Sequence, residues 1–246
     1  MTMRYKKIFG ESKPIIGMIH LNSTHGETVL DRAKKEIEIY FRYGIYPLVE
    51  NYFGSTDDCE EVLEWLATEH HDKIYGVNIL GNYRKAFELA VKYNAKFIQI
   101  DSVCGHLPPD EDMEYGISLN NLRKENEIVL LGGVRFKYCS VLSGRSVEED
   151  LRIGMSRCDA IVCTGTGTGS ATPFEKIDTF KEVLGDFPVI TGAGVTIETA
   201  EKTMKHCDGF IIGSWLKHNH CDTGFVCEEN VACLYNLVGN NGNSKE

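Results

Sequence analysis

Short apolar runs and helix-length amphipathic stretches alternate about eight times along the chain. The apolar runs occupy residues 14–21, 46–51, 74–80, 97–103, 129–136, 160–165, 189–194 and 209–214, with a polar residue or a glycine at or near the end of each. Strands separated by helix-length segments imply right-handed βαβ units and a parallel sheet. Eight such units in 246 residues match a single-domain (β/α)8 TIM barrel. Residues 1–238 are expected to form that barrel, and the Gly/Asn-rich stretch 239–246 a flexible tail. In this fold chemistry gathers where the strands end, so the last polar side chain of each run becomes a candidate.

The helical stretches are marked by spacing and by caps. Ala33, Ile37, Tyr40 and Phe41 recur at helical intervals between lysines and glutamates. Asp57 and Asp58 stand where short carboxylates cap a helix carrying Val62, Leu63, Trp65 and Leu66. Residues 82–93, 146–157, 173–184, 196–206 and 228–238 follow the same scheme, with Pro173 suited to a first turn. The longest irregular connection is expected at 104–116, where two prolines and two glycines surround a hydrophilic stretch. A loop of that length in a compact barrel suggests a lid or binding loop, and Asp110, Glu111, Asp112 and Glu114 read as its solvated face rather than a cation site.

Side chains alternate along a strand, so counting in twos gives the face directed into the barrel mouth. That face carries Met18 and His20, Leu48 and Glu50, Gly76 and Asn78, Gln99 and Asp101, Arg135 and Lys137, and Val162 and Thr164. Glu50 and His20 suit proton transfer, with Asn78 and Asp101 beside them. Lys137 or Arg135 could stabilise an anion, and Lys137 could form a Schiff base if its pKa were depressed. A buried Glu50–Lys137 ion pair without chemistry is the plainer alternative.

Two glycine-rich strand ends, Thr191-Gly192-Ala193-Gly194-Val195 and Gly213-Ser214-Trp215-Leu216-Lys217, fall after the seventh and eighth strands. Barrels often bind phosphate there, because glycines admit close approach of the backbone and helix N-termini favour anions. Gly192, Ala193, Gly194, Gly213, Ser214 and Lys217 are therefore candidate phosphate contacts. Thr164 and Gly165 open a third run, Thr164-Gly165-Thr166-Gly167-Thr168-Gly169-Ser170. Its glycines miss the dinucleotide spacing, which leaves a ligand loop of hydroxyls and amides.

Composition narrows the partners. A net charge of −10 opposes nucleic acid and anionic membranes as main partners. No apolar stretch approaches the roughly 20 residues that span a bilayer, and the first residues lack a secretion-signal core. Nine cysteines without tight pairing read as reduced thiols in a cytoplasmic protein. The run His218-Asn219-His220-Cys221, near Cys227, lacks the spacing of a structural zinc site and reads as a polar loop. No cofactor is expected; a divalent metal is possible but unsupported by the sequence. A homo-oligomer is compatible with the sequence.

With these segments assembled, the chain resembles the BtpA/SgcQ family. The resemblance runs from residues 14–21 through Val49-Glu50-Asn51, residues 76–80, Phe97-Ile98 and Lys137 to the Thr164-Gly165 and Thr168-Gly169 pairs. It continues through residues 192–196 and ends in Gly213-Ser214 with Lys217. It implies a (β/α)8 barrel acting on a phosphorylated or nucleoside-like metabolite. The family pattern carries charged residues or histidine where this chain has Gly81, Tyr83, Gln99, Gly133 and Tyr138, which implies a different substrate or weakened catalysis. The combined expectation is a phosphorylated-metabolite enzyme of lyase, aldolase, isomerase or glycosyl hydrolase type. A non-catalytic binding or assembly factor of the same family is the alternative.

Overall fold

In the computed structural model, which describes residues 2–23 and 26–239, eight parallel strands close into one barrel in chain order. They are β1 (Ile15–His20), β2 (Tyr46–Glu50), β3 (Gly76–Asn78), β4 (Phe97–Cys104), β5 (Val129–Val134), β6 (Ala160–Cys163), β7 (Val189–Thr191) and β8 (Gly209–Ile212). The helices α2 (Val29–Arg42), α3 (Thr56–Glu69), α4 (Tyr83–Lys92), α5 (Pro109–Glu125), α6 (Val147–Arg157), α7 (Phe174–Leu184) and α8 (Ile197–His206) surround it, and α9 (Glu228–Leu234) completes the ring. The tail expected at 239–246 lies, past Gly239, outside the described residues.

Local chemistry starts several helices. Ser55 and Asp58 form a capping box at α3, so Ser55, rather than the aspartates alone, is the cap. Ser146 and Glu149 do the same at α6. Each box satisfies two orphan amides, and losing such a cap costs about 1 kcal/mol.

The core has two layers. Ile16, Met18, Leu48, Phe97, Val129, Leu131, Val162, Ile190 and Ile211 fill the barrel interior. The opposite faces of the strands, such as Ile19, Val49, Val77 and Ile98, pack outward against the helices. A helix absent from the sequence expectations, α1 (Met3–Phe9), closes the end opposite the strand C-termini. Its Phe9 ring lies 5.4 Å from Tyr46 and 5.5 Å from Phe97, and Tyr5 donates its hydroxyl to the Asp208 carbonyl at 3.3 Å.

Two expectations are corrected. The stretch 104–116 is not a long lid: β4 runs to Cys104 and α5 starts at Pro109. A proline fits the first helical position, and the acidic residues sit in the first turn, where the helix dipole favours them. Asp112 is buried, not solvated, and holds Arg157 at 2.7 Å and Arg145 at 2.8 Å. Longer connections are residues 135–146, between β5 and α6, and residues 213–227, between β8 and α9. The second correction concerns Arg135, whose backbone turns left-handed with φ 48° just past β5 and breaks the two-residue alternation. Its guanidinium leaves the mouth and pairs with Asp150 at 2.9 Å.

Candidate functional site

Strand register aligns the candidates before any side-chain detail. His20 lies opposite Glu50, and Glu50 opposite Asn78, so three consecutive strand ends point the same way into the mouth. A cavity of about 410 Å³ opens there. His20, Glu50, Asp101, Lys137, Gly192, Ala193, Gly194, Gly213 and Ser214 line it.

On the deep side, Asn78 is buried and donates from Nδ2 to Glu50 Oε1 at 2.8 Å and Asp101 Oδ1 at 3.1 Å. Gln99 adds a 2.9 Å donation to the same Asp101 oxygen. Asn78 thus fixes two carboxyl groups side by side. Burial, reinforced by the charge of Asp101, pushes the Glu50 carboxyl up to about 8. Glu50 therefore carries a proton at neutral pH. His20 Nε2 stands 3.5 Å from Glu50 Oε2. Burial, then the positive charge of Lys217, holds His20 well below its usual value, so the ring is neutral.

The opposite wall is backbone. The Gly192 amide is spent on the Cys163 carbonyl at 2.8 Å. The amides of Ala193, Gly194, Ser214 and Trp215 have no acceptor among the described residues. Thr196, the N-cap of α8, lines the cavity beside them, so the positive end of a helix dipole meets the same space. Gly194 has a second reason to be glycine. Its φ is 67°, and a Cβ would sit 2.3 Å from Ala171 Cα, where the 164–173 connection crosses the β7 end. Close packing of two loops, as much as any ligand, requires a glycine there.

Lys137 reaches the cavity from beyond β5. Its amide donates to Thr164 Oγ1 at 3.0 Å and its Nζ to Thr168 Oγ1 at 3.1 Å. No Glu50–Lys137 ion pair is present among the described residues, so the plain structural alternative for that pair does not hold. Thr164 and Gly165 are buried and do not line the cavity; Thr164 instead braces the Lys137 backbone. Lys217 is corrected likewise. It is fully buried behind the β8 end, its Nζ donates to the Asp222 carbonyl at 2.8 Å, and burial lowers it to about 8. It contributes charge to the site without touching the cavity.

The aromatic lining was not read from the sequence: Tyr52 carried no signal there, and Trp215 and His220 stood only inside segments weighed for phosphate and metal. Tyr52 leans on His20 with ring centroids 5.1 Å apart, and Trp215 stacks on His220 at 5.3 Å and 12°. Tyr52, Trp215 and His220 all face the cavity. Asp222 accepts a short hydrogen bond from Ser214 Oγ. The family departures also have local roles. A Cβ on Gly133 would lie 1.9 Å from the Asp101 carbonyl oxygen, so no aspartate fits there. Tyr138 accepts the Thr168 amide at 2.7 Å and anchors the threonine–glycine loop.

Similarity to solved structures shows the fold alone. The tryptophan synthase subunit alpha of Legionella pneumophila superposes with a TM-score of 0.68 at 11% identity, covering 98% of this chain and 100% of that one. The thiamine phosphate pyrophosphorylase of Pyrococcus furiosus gives 0.62 at 14% identity, with 97% and 98% covered. An uncharacterised protein of Pyrococcus horikoshii is 28% identical, covering 92% of this chain and 96% of its own. The putative sgc region protein SgcQ of Escherichia coli is 21% identical, with 92% and 94% covered. The family model for BtpA matches residues 11–240. With the match spanning the barrel from the approach to β1 through the end of α9, the chain belongs to the BtpA family.

Proposed function

We propose that this barrel binds a small phosphorylated metabolite and acts on it by acid–base chemistry, with Glu50 as the proton donor. One observation carries the proposal: unengaged amides at the β7 and β8 ends share a cavity with a carboxyl group that keeps its proton at neutral pH. Backbone donors beside a helix N-terminus suit a phosphate, whose charge they stabilise without a salt bridge. Anchoring the phosphate at Ala193, Gly194 and Ser214 leaves the remainder of the ligand facing Glu50, Asp101 and Lys137. A protonated carboxyl in that position delivers a proton to a carbonyl or leaving oxygen. That step is common to lyases, aldolases, isomerases and glycosyl hydrolases.

Lys137 supplies positive charge on the same side, with its ammonium held by Thr168 Oγ1. Its donors can turn to an anionic intermediate when the ligand displaces that hydroxyl. The names of the neighbours in fold space are compatible with phosphorylated ligands, thiamine phosphate among them. The test is a turnover screen over phosphorylated metabolites with the wild-type chain and Glu50→Gln. Turnover that falls by roughly 10²–10⁴ in the variant supports the proposal. Turnover unchanged by the substitution overturns the role of Glu50. Binding without turnover by either protein favours a binding factor, and absence of any phosphorylated ligand overturns the anion site.

A further inference from the structure

His20 is the least satisfied polar group around the cavity. The residue is 5% exposed, and Nδ1 is shielded from solvent without a well-formed hydrogen bond, the backbone of Asp222 being the nearest polar group that favours its protonation. Two carboxyl groups flank the ring on opposite nitrogens: Glu50 Oε2 is 3.5 Å from Nε2, and Asp222 Oδ1 is 4.0 Å from Nδ1. The same oxygen, Asp222 Oδ1, takes the hydroxyl of Ser214, which lines the cavity. Glu50, His20, Asp222 and Ser214 therefore form one file from the barrel interior to the ligand space.

The loop that carries Asp222 is held from below. Residues 217 and 226 form an antiparallel bridge, and the His218 amide donates to the Phe225 carbonyl at 2.8 Å. Arg32, buried on α2, donates to the carbonyls of Thr223 at 3.0 Å and Gly224 at 2.6 Å, and its guanidinium covers the Phe225 ring at 4.2 Å. Lys217 holds the carbonyl of Asp222 itself. Two buried cations thus clamp a short surface loop, and the residue at its tip is a carboxylate facing a histidine. A loop serving only to connect β8 to α9 needs neither clamp.

We propose that Asp222 is a positioning residue: it keeps the neutral His20 ring in the tautomer with its proton on Nδ1, which leaves the Nε2 lone pair for the proton of Glu50. The tautomer of a histidine is set by the partner of its other nitrogen. With Nδ1–H directed at the Asp222 carboxylate, Nε2 can only accept, and protonated Glu50 is the donor beside it. His20 then holds the acidic proton of Glu50 toward the ring until ligand arrives. Ser214 and His20 compete for one oxygen, Asp222 Oδ1, so a ligand that draws the Ser214 hydroxyl away frees that oxygen to approach Nδ1 from 4.0 Å to about 2.9 Å. Ligand binding at the backbone wall and proton readiness at Glu50 are in this way coupled. The charged and titratable groups facing His20 are Glu50 from β2, Tyr52 from the β2–α3 connection, Asp222 from the β8–α9 loop, and Lys217, Lys137 and Arg32 at longer range. The inference deepens the acid–base assignment of Glu50 and rests on it.

Nitrogen NMR of the ligand-free, full-length chain labelled at histidine tests this without any substrate. The expected wild-type spectrum has the non-protonated ring nitrogen of His20 assigned to Nε2 from pH 6 to 9. In Asp222→Ala the same pattern holds only while Glu50 keeps its proton. Above about pH 8 the ionised Glu50 draws the ring proton to Nε2, so the Nδ1–H to Nε2–H ratio falls about tenfold, equivalent to about 1.4 kcal/mol. Ser214→Ala, which frees Asp222 to turn to His20, is expected to keep Nδ1 protonated throughout. A wild-type ring protonated on Nε2 at pH 7, or an Asp222→Ala spectrum matching wild type up to pH 9, overturns the proposal. If Asp222→Ala fails to fold, the wild-type and Ser214→Ala spectra still decide it. Loss of this coupling with an intact Glu50→Gln rate defect would remove Asp222 alone, whereas a silent Glu50→Gln variant would remove the acid itself.

Discussion

Replacing Glu50 with glutamine should stabilise this protein progressively as pH rises. Glutamine keeps the shape of the side chain and an oxygen for Asn78 Nδ2, so the floor of the cavity stays intact. What disappears is an ionisable group whose folded-state pKa stands at about 8 against 4.5. Below pH 4.5 both folded and unfolded chains hold the proton, and the residue contributes nothing to pH dependence. Between 4.5 and about 8 the unfolded chain has released it and the folded chain has not. Unfolding therefore releases a proton, and wild-type stability falls by about 1.4 kcal/mol per pH unit over that interval. The loss reaches about 3 kcal/mol by pH 7 and about 5 kcal/mol by pH 8, and levels off above it. Carboxylates remote from Glu50 contribute equally in both proteins and cancel in the comparison. Urea unfolding of the two proteins at pH 5, 6, 7 and 8 measures the difference from midpoints at a shared m-value. Parallel stability curves would refute the reasoning, because they would mean that Glu50 is ionised in the folded barrel.

Three further outcomes are expected. Gly194→Val places a branched side chain at φ 67° against the backbone of Ala171, and should lower stability by at least about 1–3 kcal/mol in a melting experiment, whether or not ligand is present; an unchanged melting temperature would show that the loops can part. Arg157→Leu strips Asp112 of one of its two guanidinium partners in a buried cluster, and should cost about 3–5 kcal/mol by urea unfolding; a loss under about 1 kcal/mol would mean that Arg145 alone suffices. Lys217→Met removes a buried positive charge that depresses His20, so the His20 titration seen by NMR should move up toward 6.5; a shift downward would contradict the electrostatic account.

Most of the barrel could be read from its eight apolar runs, because strands buried against the interior on one face and the helices on the other become short continuous hydrophobic segments. Counting side chains in twos along those runs placed His20, Glu50, Asn78 and Asp101 in the mouth. It failed where the backbone leaves the strand. Arg135 adopts a left-handed φ that no apolar pattern signals, and its side chain goes to Asp150 instead. The stretch 104–116 was expected to be an irregular connection, yet Pro108 stands at the N-cap of α5 and Pro109 begins it. Lys217 follows a glycine turn, where side-chain direction depends on the tight 3₁₀ bend at Ser214–Leu216. Asp222 was invisible because its role comes from a loop shaped by Arg32, 190 residues earlier in the chain. The aromatic side of the cavity lies on strand-to-helix connections too, and no period reaches there.

The α1 plug has a kinetic meaning. With Tyr5 and Phe9 sealing the far end and the interior filled by Leu48, Phe97, Val129 and Leu131, the cavity is a blind-ended cup with traffic through one rim. Whatever enters must leave by the way it came. A first reactant seated against the deep carboxyls obstructs nothing behind it, but a second one loaded above it locks it in. For any two-reactant chemistry in such a cup the sequence of arrival follows from shape: the deeper molecule loads first, and the one nearest the rim departs first.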